Sequence, residues 1–176
     1  MKAVSQRECE EWVAAKLNCR FNWSTVREHF STQVSFAVPS ETGRRTALGR
    51  SLSDALDVGD TGLLWVTDWS IFPSSENMLL FDTFRRAHGE SRRIDEAPGH
   101  LFDRADKSTI ECLIDLGLYF YWDLSIFDGR GTFIRIDHDD LLLVNTAEIG
   151  AATRYRVGIE QLGLLPVGGT RPQAGP

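Results

Sequence analysis

The stretch DRADKSTIECLIDLGLYFYW, residues 103–122, constrains the fold more than any other part of the chain. It is polar at its start and almost wholly apolar at its end. Ile110, Leu113, Ile114, Leu118, Tyr121 and Trp122 follow the i, i+3, i+4 spacing of one helical face. Cys112, Leu116, Tyr119 and Phe120 cover much of the remaining circumference. Burying each such side chain contributes roughly 1.5–3 kcal/mol. The spacing predicts a buried central helix over about 103–122, with Asp103 as its N-cap.

The flanking segments supply a sheet and further helices. Ser5-Gln6-Arg7-Glu8 has the form of a capping box, and Cys9, Trp12, Val13 and Leu17 make one stripe, so residues 6–18 are read as a helix. Arg20 to Ser24 alternates and is read as a short edge strand. Val34 to Val38 is a strand stopped by Pro39, and Arg44 to Leu56 is a helix. Leu63 to Val66 is a short apolar run that suits a strand buried on both faces. The loop Thr67–Pro73 leads to a helix over 75–88, capped by Ser74 or Ser75, and residues 90–102 form a connector broken at Pro98-Gly99. Asp128-Gly129-Arg130-Gly131 is a turn between the central helix and strands at 132–136 and 141–144, and a last short helix falls within 155–164.

These elements predict an α/β or α+β single domain over 1–166. Its mixed sheet has about four to five strands packed by helices. A Pro/Gly-rich tail at 167–176 is expected to be disordered. A strand–helix–strand unit within one sheet is almost always parallel. The loops after Val38 and Val66 should then share the carboxyl edge of the sheet, where ligands tend to bind.

A net charge of −6 argues against non-specific binding to nucleic acid or anionic membrane and leaves room for a basic partner. The N-terminus turns acidic with no apolar h-region, and no apolar run is long enough to span a bilayer. A cytoplasmic location is therefore expected. Cys9, Cys19 and Cys112 lack metal-type spacing and are expected to be reduced. No cofactor and no metal site is expected.

Candidate sites are few. Ser40 to Thr46 sits where a phosphate loop would sit, but Val38 takes the place of the first glycine and Arg44-Arg45 replaces the Gly-Lys pair. A weak anion site at Thr42, Arg44 and Arg45 is what remains of it. Asp68-Trp69 follows a buried strand, where a carboxylate and an indole can bind a ligand or simply cap and pack. His100 lies near Asp95 and Glu96, and His138 is flanked by Asp137, Asp139 and Asp140. These are acid–base materials without a recognisable motif. The pairs Arg44-Arg45, Arg85-Arg86 and Arg92-Arg93 are expected on a solvated surface. The segment Trp122 to Asp128 and the turn Asp137–Asp140 mix carboxylates with large apolar groups, as a protein-binding patch does.

Three phrases, TDWSIFPSSEN, EAPGHLF and YFYWDLSIFDGRG to IDHDD, resemble a group of small bacterial proteins of similar length over about residues 34–140. In overall character the chain is similar to toxin-immunity proteins. The resemblance implies a protein-binding role, that of an antidote to a basic partner. Trp69, Asp123, Phe127, Asp128, Asp137, Asp139 and Asp140 would then form the binding surface. The alternative is a small enzyme whose site gathers Ser40, Thr42, Asp68 and Trp69 with His100 or His138.

Overall fold

A computed structural model describes residues 1–69 and 75–167, with the backbone alone at 75–77. The expected tail, the helix cap at Ser74 or Ser75 and the latter part of the aromatic loop fall outside the described residues or side chains.

The elements run β1 (Lys2–Val4), α1 (Gln6–Leu17), α2 (Trp23–Glu28), β2 (Thr32–Ala37), α3 (Thr42–Ala55), β3 (Gly62–Asp68), α4 (Ser75–Ala87), β4 (Gly99–Phe102), α5 (Lys107–Phe120), β5 (Asp123–Phe127), β6 (Thr132–Ile136), β7 (Leu141–Thr146) and α6 (Ile149–Glu160). One sheet takes the strands in the order β1-β4-β3-β5-β6-β7-β2. It is an α/β fold with seven strands, rather than four or five, and each neighbouring pair is antiparallel. The strands not anticipated are β1 and β4, too short to show a pattern, and β5.

The unit expected to be a parallel neighbour pair is opened out. β2 and β3 are separated by β5, β6 and β7, because the turns at 128–131 and 137–140 close local hairpins at little entropic cost. Four antiparallel steps (β3–β5, β5–β6, β6–β7, β7–β2) still leave β2 and β3 pointing the same way. Their carboxyl ends therefore share an edge of the sheet, three strands apart.

Side chains alternate cleanly across the sheet. Leu64, Val66, Leu124, Ile126, Ile134, Ile136, Leu142 and Val144 face the core shared with α3, α5 and α6. Leu63, Trp65, Phe127 and Phe133 face a second cluster closed by α1 and α2. The central helix is present as α5. A short 3-10 turn over Arg104–Asp106 precedes it, and the Asp103 side chain accepts the Ala105 N–H. Ile110, Leu113, Ile114 and Leu118 are buried, whereas Tyr119 is 58% exposed, so the helix is walled on one side and not all round. It ends where Tyr121 turns left-handed, at φ 57°, and its N–H bonds to Gly117 O.

Residues 20–24 are not an edge strand. Asn22 caps α2 by accepting the Ser24 N–H at 2.8 Å, and Phe21 and Trp23 turn onto the Trp65 ring. The other sheet edge is covered in part by the C-terminal segment, where Phe36 bridges to Pro166 and Val167 N donates to Ser35 O.

Candidate functional site

The edge of the sheet at the carboxyl ends of β2, β3 and β6 gathers Asp68, Asp123, Asp137, Asp139 and Asp140. Asp68 ends β3 and lies opposite Asp123, which begins β5. The turn Asp137–Asp140 joins β6 to β7 on the same edge. Strand register alone produces this convergence, since antiparallel neighbours start and stop there.

Asp123 organises the rim. Its side chain is buried, and one carboxylate oxygen accepts the backbone N–H of His138 at 2.8 Å and meets the His138 ring Nδ1, also at 2.8 Å. The other oxygen lies 3.6 Å from the Arg135 guanidinium. His138 is half exposed and its Nε2 stands 4.0 Å from Asp139. The bond and charge of Asp123 hold the His138 pKa above its ordinary value, with Asp139 and Asp68 adding to the effect. Nε2 of such a ring can exchange protons with solvent or pair with a partner's carboxylate.

The turn itself is internally bonded. Asp137 accepts the N–H groups of Asp139 and Leu141, and Asp140 sits at φ 59°. Asp139 is left with its side chain 85% exposed. Asp140 also holds the end of β2, its carbonyl accepting the Val38 N–H at 2.7 Å. Arg45 is buried here. It donates to Pro39 O at 2.7 Å, to Leu118 O at 3.3 Å and to the Tyr121 hydroxyl at 2.7 Å, and reaches Asp140 at 3.5 Å.

The expected site residues thus divide. Asp68, Asp123, Asp137, Asp139 and Asp140 share the rim. Phe127 and Asp128 lie at the far end of β5. Phe127 is buried in the second core cluster, and Asp128 is consumed by the turn, accepting the N–H groups of Arg130 and Thr132. Neither offers a surface to a partner. Trp69 is half-buried, edge-on to Phe81 and Trp122 at 5.3 and 5.0 Å, and lines a cleft of about 600 Å³ with Met78, Asp82 and Ile94. Of the residues expected to form a weak anion contact, Arg44 donates to Leu162 O at 2.8 Å and Arg45 is committed as above. Thr42 begins α3.

The enzyme-like gathering assembles only in part: Asp68 and His138 share the rim, while His100, Ser40 and Thr42 lie apart from them. His100 pairs with Leu64 on the core face of the sheet, whereas Asp123 and Arg135 alternate onto the opposite face. Ser40 and Thr42 follow β2, which β7, β6 and β5 separate from Asp68. Burial and the Arg85 charge push the His100 pKa down to about 3.

Two residues central to the buried polar structure were given other roles by the sequence, Arg85 on a solvated surface and Trp122 on the central helix stripe. Arg85 and Trp122 are each 1% exposed, and Arg85 overturns the expectation of a solvated arginine pair. The signal for Arg85 was its spacing, one turn after Phe81 on the inward stripe of α4. Among the described residues no group of three or more His, Cys, Asp or Glu is placed to hold a metal ion, and no helix is long and apolar enough to cross a membrane. No protein-family model matches the chain, and neither a curated protein nor a solved structure matches it.

Proposed function

We propose that this chain is a cytoplasmic protein-binding protein, of the antidote type, that receives a basic protein partner on its acidic rim. The observation that carries the reading is the convergence of Asp68, Asp123 and Asp137–Asp140 on one sheet edge from separate segments of the chain. Of these, Asp68 and Asp139 are exposed, and among the described residues neither carboxylate has a hydrogen-bond partner, Asp139 standing 4.0 Å from the His138 ring. Exposed carboxylates of this kind steer association and set its salt dependence. Tyr121, 44% exposed and held by Arg45, supplies a pre-positioned aromatic group beside them. A tyrosine fixed in this way loses little entropy on contact.

The test is charge reversal on a surface that has no structural duty. Asp68→Lys combined with Asp139→Lys should leave the unfolding midpoint within about 0.5 kcal/mol of the parent. It should abolish capture of the basic protein that the tagged parent chain pulls from its native lysate. Raising the salt should weaken the parent's capture in the same direction. Equal capture by parent and variant, or no co-purifying protein at all, refutes the reading.

A further inference from the structure

Beneath α4, among the described residues, three buried side chains carry N–H groups with no well-aligned acceptor. Arg85 is 1% exposed, and Nε and both terminal nitrogens of its guanidinium are without a hydrogen-bond partner. The indole Nε1 of Trp122, 1% exposed, is likewise unpartnered, and His100, 0% exposed, has no ring hydrogen bond of good geometry, with the Leu64 backbone alone acting on its ring as a bonding group. All three groups surround one ring. The Arg85 guanidinium carbon lies 5.7 Å from the Phe81 centroid, the His100 ring 5.6 Å and the Trp122 ring 5.0 Å.

The acids near Arg85 do not answer its charge. Glu90 acts on it through space, yet both Glu90 oxygens are held by Arg92, at 3.0 and 2.5 Å. Asp82 is bonded to Arg86 at 2.6 Å. A guanidinium cannot shed its proton in a protein as a buried lysine can. An unpaired cation at this depth costs several kcal/mol, a large share of the stability of a domain. The chemistry that would remove the cost is a group rich in acceptors and negatively charged. The planar fork of Arg85 matches two oxygens of such a group, and His100 and Trp122 add neutral donors.

We propose that Arg85, His100 and Trp122 bind a small oxyanion, a carboxylate or phosphate group, in the layer between α4 and β4. The site is independent of the acidic rim, because His100 and the rim histidine lie on opposite faces of the sheet. Trp69 joins the layer to solvent: it touches Phe81 and Trp122 on one side and lines the cleft with Met78, Asp82 and Ile94 on the other. The cleft, of about 600 Å³, is of the size of a small-molecule site, and Arg93 stands in its lining beside Asp82 and Asp95.

The full ¹⁵N-labelled chain is titrated with sodium phosphate and, separately, with sodium acetate, sodium chloride holding ionic strength fixed. The Trp122 indole and Arg85 Nε–H signals, assigned with Trp122→Phe and Arg85→Lys, are followed. The expected result is a saturable shift of both signals while those of Trp12 and Trp23 stay in place. Saturation by phosphate before acetate identifies a phosphate site, and the reverse order a carboxylate site. Arg85→Lys should weaken binding by about ten- to a hundredfold, the loss of one hydrogen bond to a charged group, and Asp139→Lys should leave it unchanged. No saturable shift with either anion, or equal binding by Arg85→Lys, overturns the proposal. If Arg85→Lys does not fold, the Trp122 signal of the parent chain decides the matter alone.

Discussion

The bond from the His138 ring to Asp123 ties a solvent-facing group to a buried one, and it makes stability depend on pH. The His138 pKa is raised above 6.5, chiefly by that bond. The folded chain then keeps a proton that the unfolded chain has released. The contribution is complete below the ordinary value and fades as pH climbs through the raised one. Relative to His138→Asn, the parent should therefore lose stability as pH rises above the ordinary histidine value of about 6.5. Urea denaturation of both chains across that range checks it, and parallel curves would contradict the assignment. Residue-scale detail was legible where the partner was local. The pairing of Ser5 with Glu8 was visible as a spacing of three, and the two side chains form the capping box of α1. The fate of Asp123, Asp128 and Arg85 was not, because each depends on which end of a strand or face of a helix meets a distant segment.

At the scale of elements, α5 and β5 are held at close range by Gly117. A Cβ there would stand 2.3 Å from Leu124 Cδ1 and 2.8 Å from Leu124 Cγ. Leu124 is 0% exposed and has no room to withdraw. Helix propensity favours alanine over glycine by about 1 kcal/mol, but overpacking a filled core costs about 1–3 kcal/mol. Gly117→Ala should therefore destabilise by up to about 2 kcal/mol, read from the urea midpoint at unchanged slope. A stabilised variant would mean that the helix does not press on the strand as described. Periodicity revealed α1, α3, α5, β3, β6 and β7, whose patterns are long or regular. It failed for β5, where every position is buried and no alternation remains to be seen. It failed for α2, where Phe21 and Trp23 alternate because Asn22 between them is a cap. The last helix was placed too late, since Gly150, Ala151 and Ala152 carry little hydrophobic pattern at its start.

For the whole molecule, the presence of an α/β sheet and of a clustered set of carboxylates was readable from sequence, but the order of the strands was not. Adjacent segments were assumed to lie side by side, and the hairpins of the second half displaced them. The completed sheet depends on pairs far apart in sequence. Thr32 faces Thr146, and Lys2 faces Leu101. A chain ended after Asp140 lacks β7 and α6, and β2 loses the strand it pairs with along its whole length. Such a chain should show no cooperative urea transition, and a sharp one by circular dichroism would refute the dependence. The outermost strands β1 and β2 both come from the first forty residues, while the middle of the sheet is made last. As the polypeptide leaves the ribosome its margins emerge with nothing to border, so β1 must wait for β4 and β2 for β7. Contacts of such long span form slowly, and the sheet stays open until β5, β6 and β7 have been added between its margins.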